Sequence, residues 1–336
     1  MIKVATTLLG IVLLAALLWW LVDGRAIGSD SLREPSNAPI IRIAVSQTPL
    51  SSPFFIAQSK RLFSQQDLAV VLVPCFGGHK CMEMLLNHEV DFATASETVF
   101  MFNSFTQPEL RLISSFVESD NDVKLLTLKG GGIVNLTSLE GQKVGVVKAS
   151  ASEFFLDSLL ILNGIDSSSV ERVYYKPTQL VEALLLTEVD AIAVWEPYGY
   201  ELTNTVPEQV EQLPSRGVYN LSFNLIGLAG KHRKPEAISG ILAALEQANL
   251  YLITHPKQSQ TLVSETLGIS FRQLNWSWQD YLFRLSLGNS LLSNLHTQAR
   301  WALDRQLITG AEVPNFRAMF LDGKSLALLD EPLEHK

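Results

Sequence analysis

The chain has 336 residues, more than one core of about 100–200 residues needs, so two lobes are expected. Its formal charge is −8, an acidic balance that argues against a nucleic-acid partner, which usually needs a basic face. Hydrophobic residues make up 47% and charged residues 18%, a globular composition with an apolar segment added.

That segment is at the start. Val4 to Val22 carries no charge, and nineteen residues at about 1.5 Å each reach about 28 Å, near the thickness of a bilayer's hydrocarbon. Lys3 precedes it, and Trp19 and Trp20 stand at its outer end, where amphipathic rings favour the interface. The reading is an uncleaved transmembrane anchor. The alternative is a cleaved signal peptide, whose apolar core is shorter, about 7–15 residues, and ends in a small-x-small site. Here Asp23-Gly24-Arg25 follows, and no Cys follows to carry a lipid. Either way the rest of the chain is placed outside the cytoplasm. Ser29 to Pro39 is polar with two prolines and reads as a tether.

The folded part opens with the apolar strand Ile40 to Val45. An internal repeat follows. Glu83 to Glu97 (EMLLNHEVDFATASE) matches Glu182 to Glu196 (EALLLTEVDAIAVWE), with Glu, Leu, Leu, Glu, Val, Asp and Glu in register. Ser52-Pro53-Phe54-Phe55-Ile56 matches Ser152-Glu153-Phe154-Phe155-Leu156 at almost the same offset. Ser suits an N-cap, and Pro or Glu the first helical turn. Each half therefore reads as strand, polar loop, capped helix, then helix, Glu-Val-Asp, strand. Alternating strands and helices mean a parallel sheet covered by helices, so the expectation is an α/β molecule of two similar lobes.

Leu110 to Val117 and Val123 to Leu128 are strand-like, with a lobe crossing at Glu118 to Asp122. A return crossing is expected near Val218 to Leu228. Beyond it, Ile238 to Leu252 and Leu291 to Leu303 hold helical spacing and are expected on lobe 1. Trp276, Trp278 and Trp301 are read as core. The resulting division is a membrane segment 1–23, a linker 24–39, lobe 1 at 40–117, lobe 2 at 118–224, and a helical part 225–336.

Ligands of open α/β sheets bind beyond the carboxyl ends of the strands. That rule selects Gln47, Thr48, Ser52, Gly77, Gly78, Ser96, Glu97, Ser150, Ser152, Trp195 and Glu196 as ligand-binding candidates. Ser52, Gly78 and Ser152 are expected just before helices, whose free N–H groups attract anions; plain capping is the competing role. Trp195 offers a face for a flat or apolar group, with hinge packing as the alternative. Glu97 and Glu196 disfavour a simple anion unless they are turned away or paired. Cys75 and Cys81 enclose a small loop, either bonded or free. With His79 they fall short of the four ligands of a structural zinc, so no metal is expected. No Gly-x-Ser-x-Gly, Walker loop, Gly-x-Gly-x-x-Gly or His-Glu-x-x-His is present, and the histidines are scattered. No catalytic residue and no cofactor are expected.

Several segments resemble the ABC-transporter solute-binding proteins for nitrate, taurine, alkanesulfonates and thiamine-precursor pyrimidines. They are Pro53 to Gln58 with Leu62-Phe63, Leu139 to Val147, Ser150 to Phe155, Glu188 to Ala191 with Val194 to Tyr198, and Glu312 to Phe316. Arg61, His88 and Thr187 stand where that family often has Gly in turns. The resemblance implies the two-lobed periplasmic-binding-protein fold (type II-like), here behind an N-terminal transmembrane helix. It further implies a periplasmic or other extracytoplasmic protein, not an enzyme, that delivers a small organic or sulfur- or nitrogen-containing solute to an ABC importer. Its partners are then that small-molecule ligand, the ABC permease with its ATPase, and the inner membrane through residues 4–22. A membrane-tethered sensing module is the alternative, and an enzyme on the same fold a third reading. Eukaryotic pyrimidine synthases of this fold carry several cysteines before Phe-Gly; Cys75-Phe76-Gly77 resembles only the end of that run.

Overall fold

A computed structural model describes residues 39–229, 235–310 and 312–321. The expected anchor Val4–Val22 and nearly all of the tether lie outside the described residues.

In chain order the first elements are β1 (Ile41–Ser46), α1 (Ser52–Ser59), α2 (Leu62–Gln65), β2 (Val70–Cys75), α3 (Gly78–Leu86), β3 (Phe92–Ser96), α4 (Glu97–Ser104) and β4 (Leu110–Ser119). Next come β5 (Val123–Leu128), β6 (Lys143–Val146), α5 (Ala151–Leu162), β7 (Glu171–Tyr174), α6 (Leu180–Leu185), β8 (Ala191–Trp195), α7 (Tyr198–Thr205) and β9 (Val210–Gln212). The last are β10 (Leu221–Leu228), α8 (Pro235–Thr254), α9 (Pro256–Leu267), α10 (Phe271–Trp278), β11 (Tyr281–Ser286), α11 (Asn289–Asp304) and α12 (Phe316–Met319).

The strands form two sheets, in the orders β11-β4-β10-β3-β1-β2 and β7-β6-β8-β5-β9. This is the expected two-lobed α/β architecture. The first sheet keeps Glu118 and Ser119 within β4 and takes back Leu221 to Asn224 in β10, against the expected edges at 118 and 224.

The repeat has a physical basis. In lobe 1, Asp91 accepts a bond from the Arg42 amide at 2.8 Å and returns its own amide to the Arg42 carbonyl at 2.8 Å. In lobe 2, Asp190 does the same with Lys143, both bonds again at 2.8 Å. The aspartate of each Glu-Val-Asp therefore registers β3 against β1 in lobe 1 and β8 against β6 in lobe 2. The left-handed turns expected from the resemblance are also present: Arg61, His88 and Thr187 have φ of 55°, 59° and 56°. Such φ values are what Gly adopts without cost.

Side-chain alternation along β8 divides the interior. Ala191 and Ala193 join the large core shared with lobe 1, whereas Ile192 and Val194 join a separate cluster with Leu180, Leu184 and Leu202. α8 is the one described helix long and apolar enough to cross a membrane. It packs against α1, burying Ile241, Leu245 and Ala248. Trp278 and Trp301 are buried as expected. Trp276 is not core: it is 38% exposed, and its indole N–H donates to Glu196 Oε1 at 2.6 Å.

Candidate functional site

The direction of the crossings places the site. β10 runs antiparallel to both β3 and β4, so β4 points the same way as β1 and β3. It leaves the first sheet at their carboxyl edge. β5 enters the second sheet antiparallel to β8, with Val123 opposite Trp195. The crossing thus joins the carboxyl edge of one sheet to that of the other, and β10 starts back at the same edge, with Leu221 opposite Ser119.

On the lobe 1 edge, the loop after β1 carries three hydroxyls, Ser46 Oγ, Thr48 Oγ1 and Ser51 Oγ, that are shielded and have no hydrogen-bond partner among the described residues. An unmade bond at a buried hydroxyl is costly, so each of these groups calls for a partner such as water or a ligand. Gln47 lies half-buried between them, its amide N donating to the Val45 carbonyl at 3.1 Å. The loop after β2 is closed by a Cys75–Cys81 disulfide, with a Cα–Cα distance of 5.4 Å; this decides the pairing left open by the sequence. Phe76 sits in that loop, 85% exposed. Gly77 has φ of 79° and caps α3. A Cβ on Gly78 would fall 2.8 Å from Ala95 Cα, so this turn lies directly on β3.

On the lobe 2 edge, Lys148 is exposed and its ammonium lies 5.7 Å from the Tyr174 ring centre. Trp195 is half-buried at the end of β8.

Several expected roles change. Ser51, Gly77 and Ser150 are the caps, not Ser52, Gly78 and Ser152. The shift arises because a short 3-10 turn, Pro49–Ser51, precedes α1, and because Ser150 is extended and holds the Ser152 amide at 3.2 Å. Ser52 spends both its amide and its hydroxyl on the Pro49 carbonyl. The Ser152 hydroxyl donates to the Ala193 carbonyl at 2.6 Å. Neither Ser52 nor Ser152 has a donor left for an anion. Ser96 caps α4 through the Val99 amide, at 3.3 Å.

Glu97 and Glu196 are both buried and bonded inside the protein, beside the crossings. Glu97 is fully buried and accepts bonds from the Tyr219 hydroxyl, the Ser222 amide at 2.9 Å and the Gln298 side chain at 3.0 Å. Burial raises its pKa above the usual carboxylate value despite these donors, and pushes Tyr219 well above the usual phenol value. Glu196 is paired with Lys124 at 2.8 Å and also accepts from Trp276 and the Tyr200 amide. Beside that pair, Asp122 is buried in the crossing and accepts from the Tyr281 hydroxyl at 3.1 Å. Desolvation raises its pKa from 3.8 to about 7, against the pull of Lys124.

The hinge residues Asp122, Lys124, Tyr219 and Tyr281 were not singled out by sequence reasoning. The signal was Lys124 itself, a lone cation inside an apolar strand. Cavities among the described residues include two beyond these loops. One of about 630 Å³ lies between α5, α11 and the return crossing, walled by Phe154, Tyr219 and Trp301. The other, of about 520 Å³, lies on α11 and α12 with His296, Arg300 and Arg317. None of the eleven candidate residues lines either cavity.

The sequence model of the NMT1/THI5-like family matches residues 48–259, more than half of the chain. The chain belongs to this family. Among curated family relatives, a provisionally named binding protein of Brucella abortus is 23% identical over 142 residues, covering 41% of this chain. The match spans 44% of that relative, less than half its length. A provisionally named thiamine biosynthesis protein of Haemophilus influenzae is 27% identical over 237 residues, 68% of this chain and 74% of its own. The fold is that of the periplasmic aliphatic sulphonate binding protein SsuA of Escherichia coli, with a TM-score of 0.73 and 18% identity over 85% of this chain and 93% of that one. It is shared with the desulfurization enzyme DszB, with a TM-score of 0.61 and 14% identity over 86% and 99%.

Proposed function

We propose that this chain is an extracytoplasmic solute-binding protein that delivers its ligand to an ABC importer, and that the ligand sits between the two carboxyl edges. The observation that carries the reading is the pairing of those edges by the crossings, with three unpartnered hydroxyls on one side. Closure about the crossings then buries the ligand. Glu97 and Glu196 are spent inside the protein, so they no longer argue against an anion. The exposed Lys148 and the donors Ser46, Thr48 and Ser51 suit an oxyanionic group, and Trp195 and Phe76 suit an apolar or flat remainder. A relative named for aliphatic sulfonates, from Bacillus subtilis, agrees with that chemistry.

Native mass spectrometry of protein purified without refolding tests the proposal directly, by identifying a co-purified solute. A melting-temperature screen of alkanesulfonates, carboxylates and amino-pyrimidines complements it, with stabilisation by an organic acid expected. In calorimetry, Trp195→Ala is expected to weaken the hit roughly threefold to tenfold. Undiminished affinity in a folded variant removes Trp195 from the site. No stabilisation by any organic anion sinks the ligand class. The likeness to DszB keeps an enzyme reading in view; turnover of the hit by purified protein would establish it. Attachment to the inner membrane through residues 4–22 is part of the proposal. An intact mass showing a mature N-terminus near Gly24 to Ser31 would overturn that part.

A further inference from the structure

We infer that Trp301 and Arg305, carried by lobe 1, are positioning residues for the ligand-facing loop Lys148–Ser150 of lobe 2, acting through Asp157 and Glu153. What that loop does rests on the cleft reading above; the linkage itself rests on geometry.

α11 belongs to lobe 1: it packs on α4 and α12, and the Trp301 ring meets Phe102 of α4 edge-on at 6.3 Å. From that base the end of α11 reaches α5, which packs on β8 and β5 of the second sheet. The Trp301 indole N–H donates to Asp157 Oδ2 at 2.8 Å. Arg305 Nε lies 3.3 Å from the same oxygen, and the Arg305 guanidinium is 3.9 Å from Glu153 Oε1. The Trp301 and Phe154 rings meet edge-on at 5.2 Å. Both carboxylates are buried. Within lobe 2, Arg172 binds the other Asp157 oxygen and the Tyr174 hydroxyl donates to Glu153 Oε1 at 2.7 Å.

The second Glu153 oxygen completes the chain of contacts. It accepts the Ala149 amide at 2.7 Å, in the middle of the loop. Ala149 has φ of 52°, a conformation that a residue with a Cβ keeps only when its surroundings impose it. One carboxylate thus holds the strained loop with one oxygen and meets the other lobe with the second.

The plainer reading is that Glu153 is a helix cap. It lies three residues after the cap Ser150, where a Glu commonly reaches back to a free amide. That reading comes within one residue of the bond to Ala149, since a capping-box Glu reaches the amide of the cap itself, here Ser150. It does not account for an arginine and an indole N–H arriving from the opposite lobe onto buried acids of α5. When the lobes part, these donors leave, and buried carboxylates must find new partners or water. The loop that faces the ligand therefore reports lobe position before any ligand binds.

Hydrogen exchange on the full chain, without ligand, tests this. In Arg305→Ala the amides of residues 148–152 are expected to exchange roughly threefold to tenfold faster, while those of Leu159 and Leu160 stay unchanged. Arg305→Lys should recover part of the protection, and raised salt should mimic the Ala variant, because Arg305 is partly solvent-exposed. Trp301→Phe, which keeps an aromatic ring but loses the indole N–H, should act in the same direction. Unchanged exchange at 148–152 in both variants overturns the inference. So does uniformly faster exchange along α5, which would make the contact merely structural. No ligand enters the experiment, so a failed ligand screen counts against the proposed function and leaves this result standing.

Discussion

Lys124 has only 2% of its side chain exposed and sits in a strand of apolar residues. A buried ammonium is costly unless paired, and breaking such a pair from one side destabilises by about 3–5 kcal/mol. Glu196→Gln is therefore expected to lower stability by up to about that much in urea unfolding, because it leaves the lysine only the Asn121 carbonyl and Asp122 as neighbours. Lys124→Met combined with Glu196→Gln should recover most of the loss. Asp122 sets a pH dependence of definite sign. Its folded pKa is raised from 3.8 to about 7, so between those values the folded state holds a proton that the unfolded state has released. Stability should fall as pH rises through that window, by on the order of 2–3 kcal/mol between pH 5 and pH 8. The raised Glu97 adds to the fall. Asp122→Asn should flatten it, as read by denaturation at the two pH values. Thr187 is β-branched at φ 56°. Thr187→Gly should raise stability by about 1 kcal/mol, relief of the left-handed strain outweighing the added chain freedom.

At the level of elements, the paired α/β halves are legible in the sequence because Asp91 and Asp190 do the same work. Asp91 ties β3 to β1 and Asp190 ties β8 to β6, so the Glu-Val-Asp pattern and the strand after it recur together. The helix starts are legible only to within one or two residues. Both halves carry Ser at the start, but the cap depends on backbone angles that a 3-10 turn or one extended residue changes. The strand-end rule finds the loops of the site without saying which way each side chain turns. Ser152 and Glu97 stand in the first turns of α5 and α4 and point inward, while the unpartnered Ser46 and Ser51 flank Thr48 with nothing in the sequence to set them apart. Gly78 is more than a turn residue, since an added Cβ meets the backbone of β3. Gly78→Ala should destabilise by about 1–3 kcal/mol, seen as a lower melting temperature. It should also loosen the loop that presents Phe76.

Across the whole molecule, lobe 1 is drawn from two separate stretches of chain and lobe 2 from the stretch between them. If ligand closes the lobes about the crossings, small-angle scattering should show a smaller radius at saturation with the identified solute. An unchanged radius at saturation would count against closure about the crossings, unless the free protein is already closed. The discontinuity has a further consequence, for the order in which the molecule can be made. β10 lies between β3 and β4, yet it follows β4 by about a hundred residues. As the chain emerges during synthesis, β3 and β4 have no strand between them until all of lobe 2 has appeared. Lobe 2 takes its strands from one continuous stretch and can close first. The seam of lobe 1 stays open longest, with the polar edges of β3 and β4 exposed until β10 arrives to pair with both.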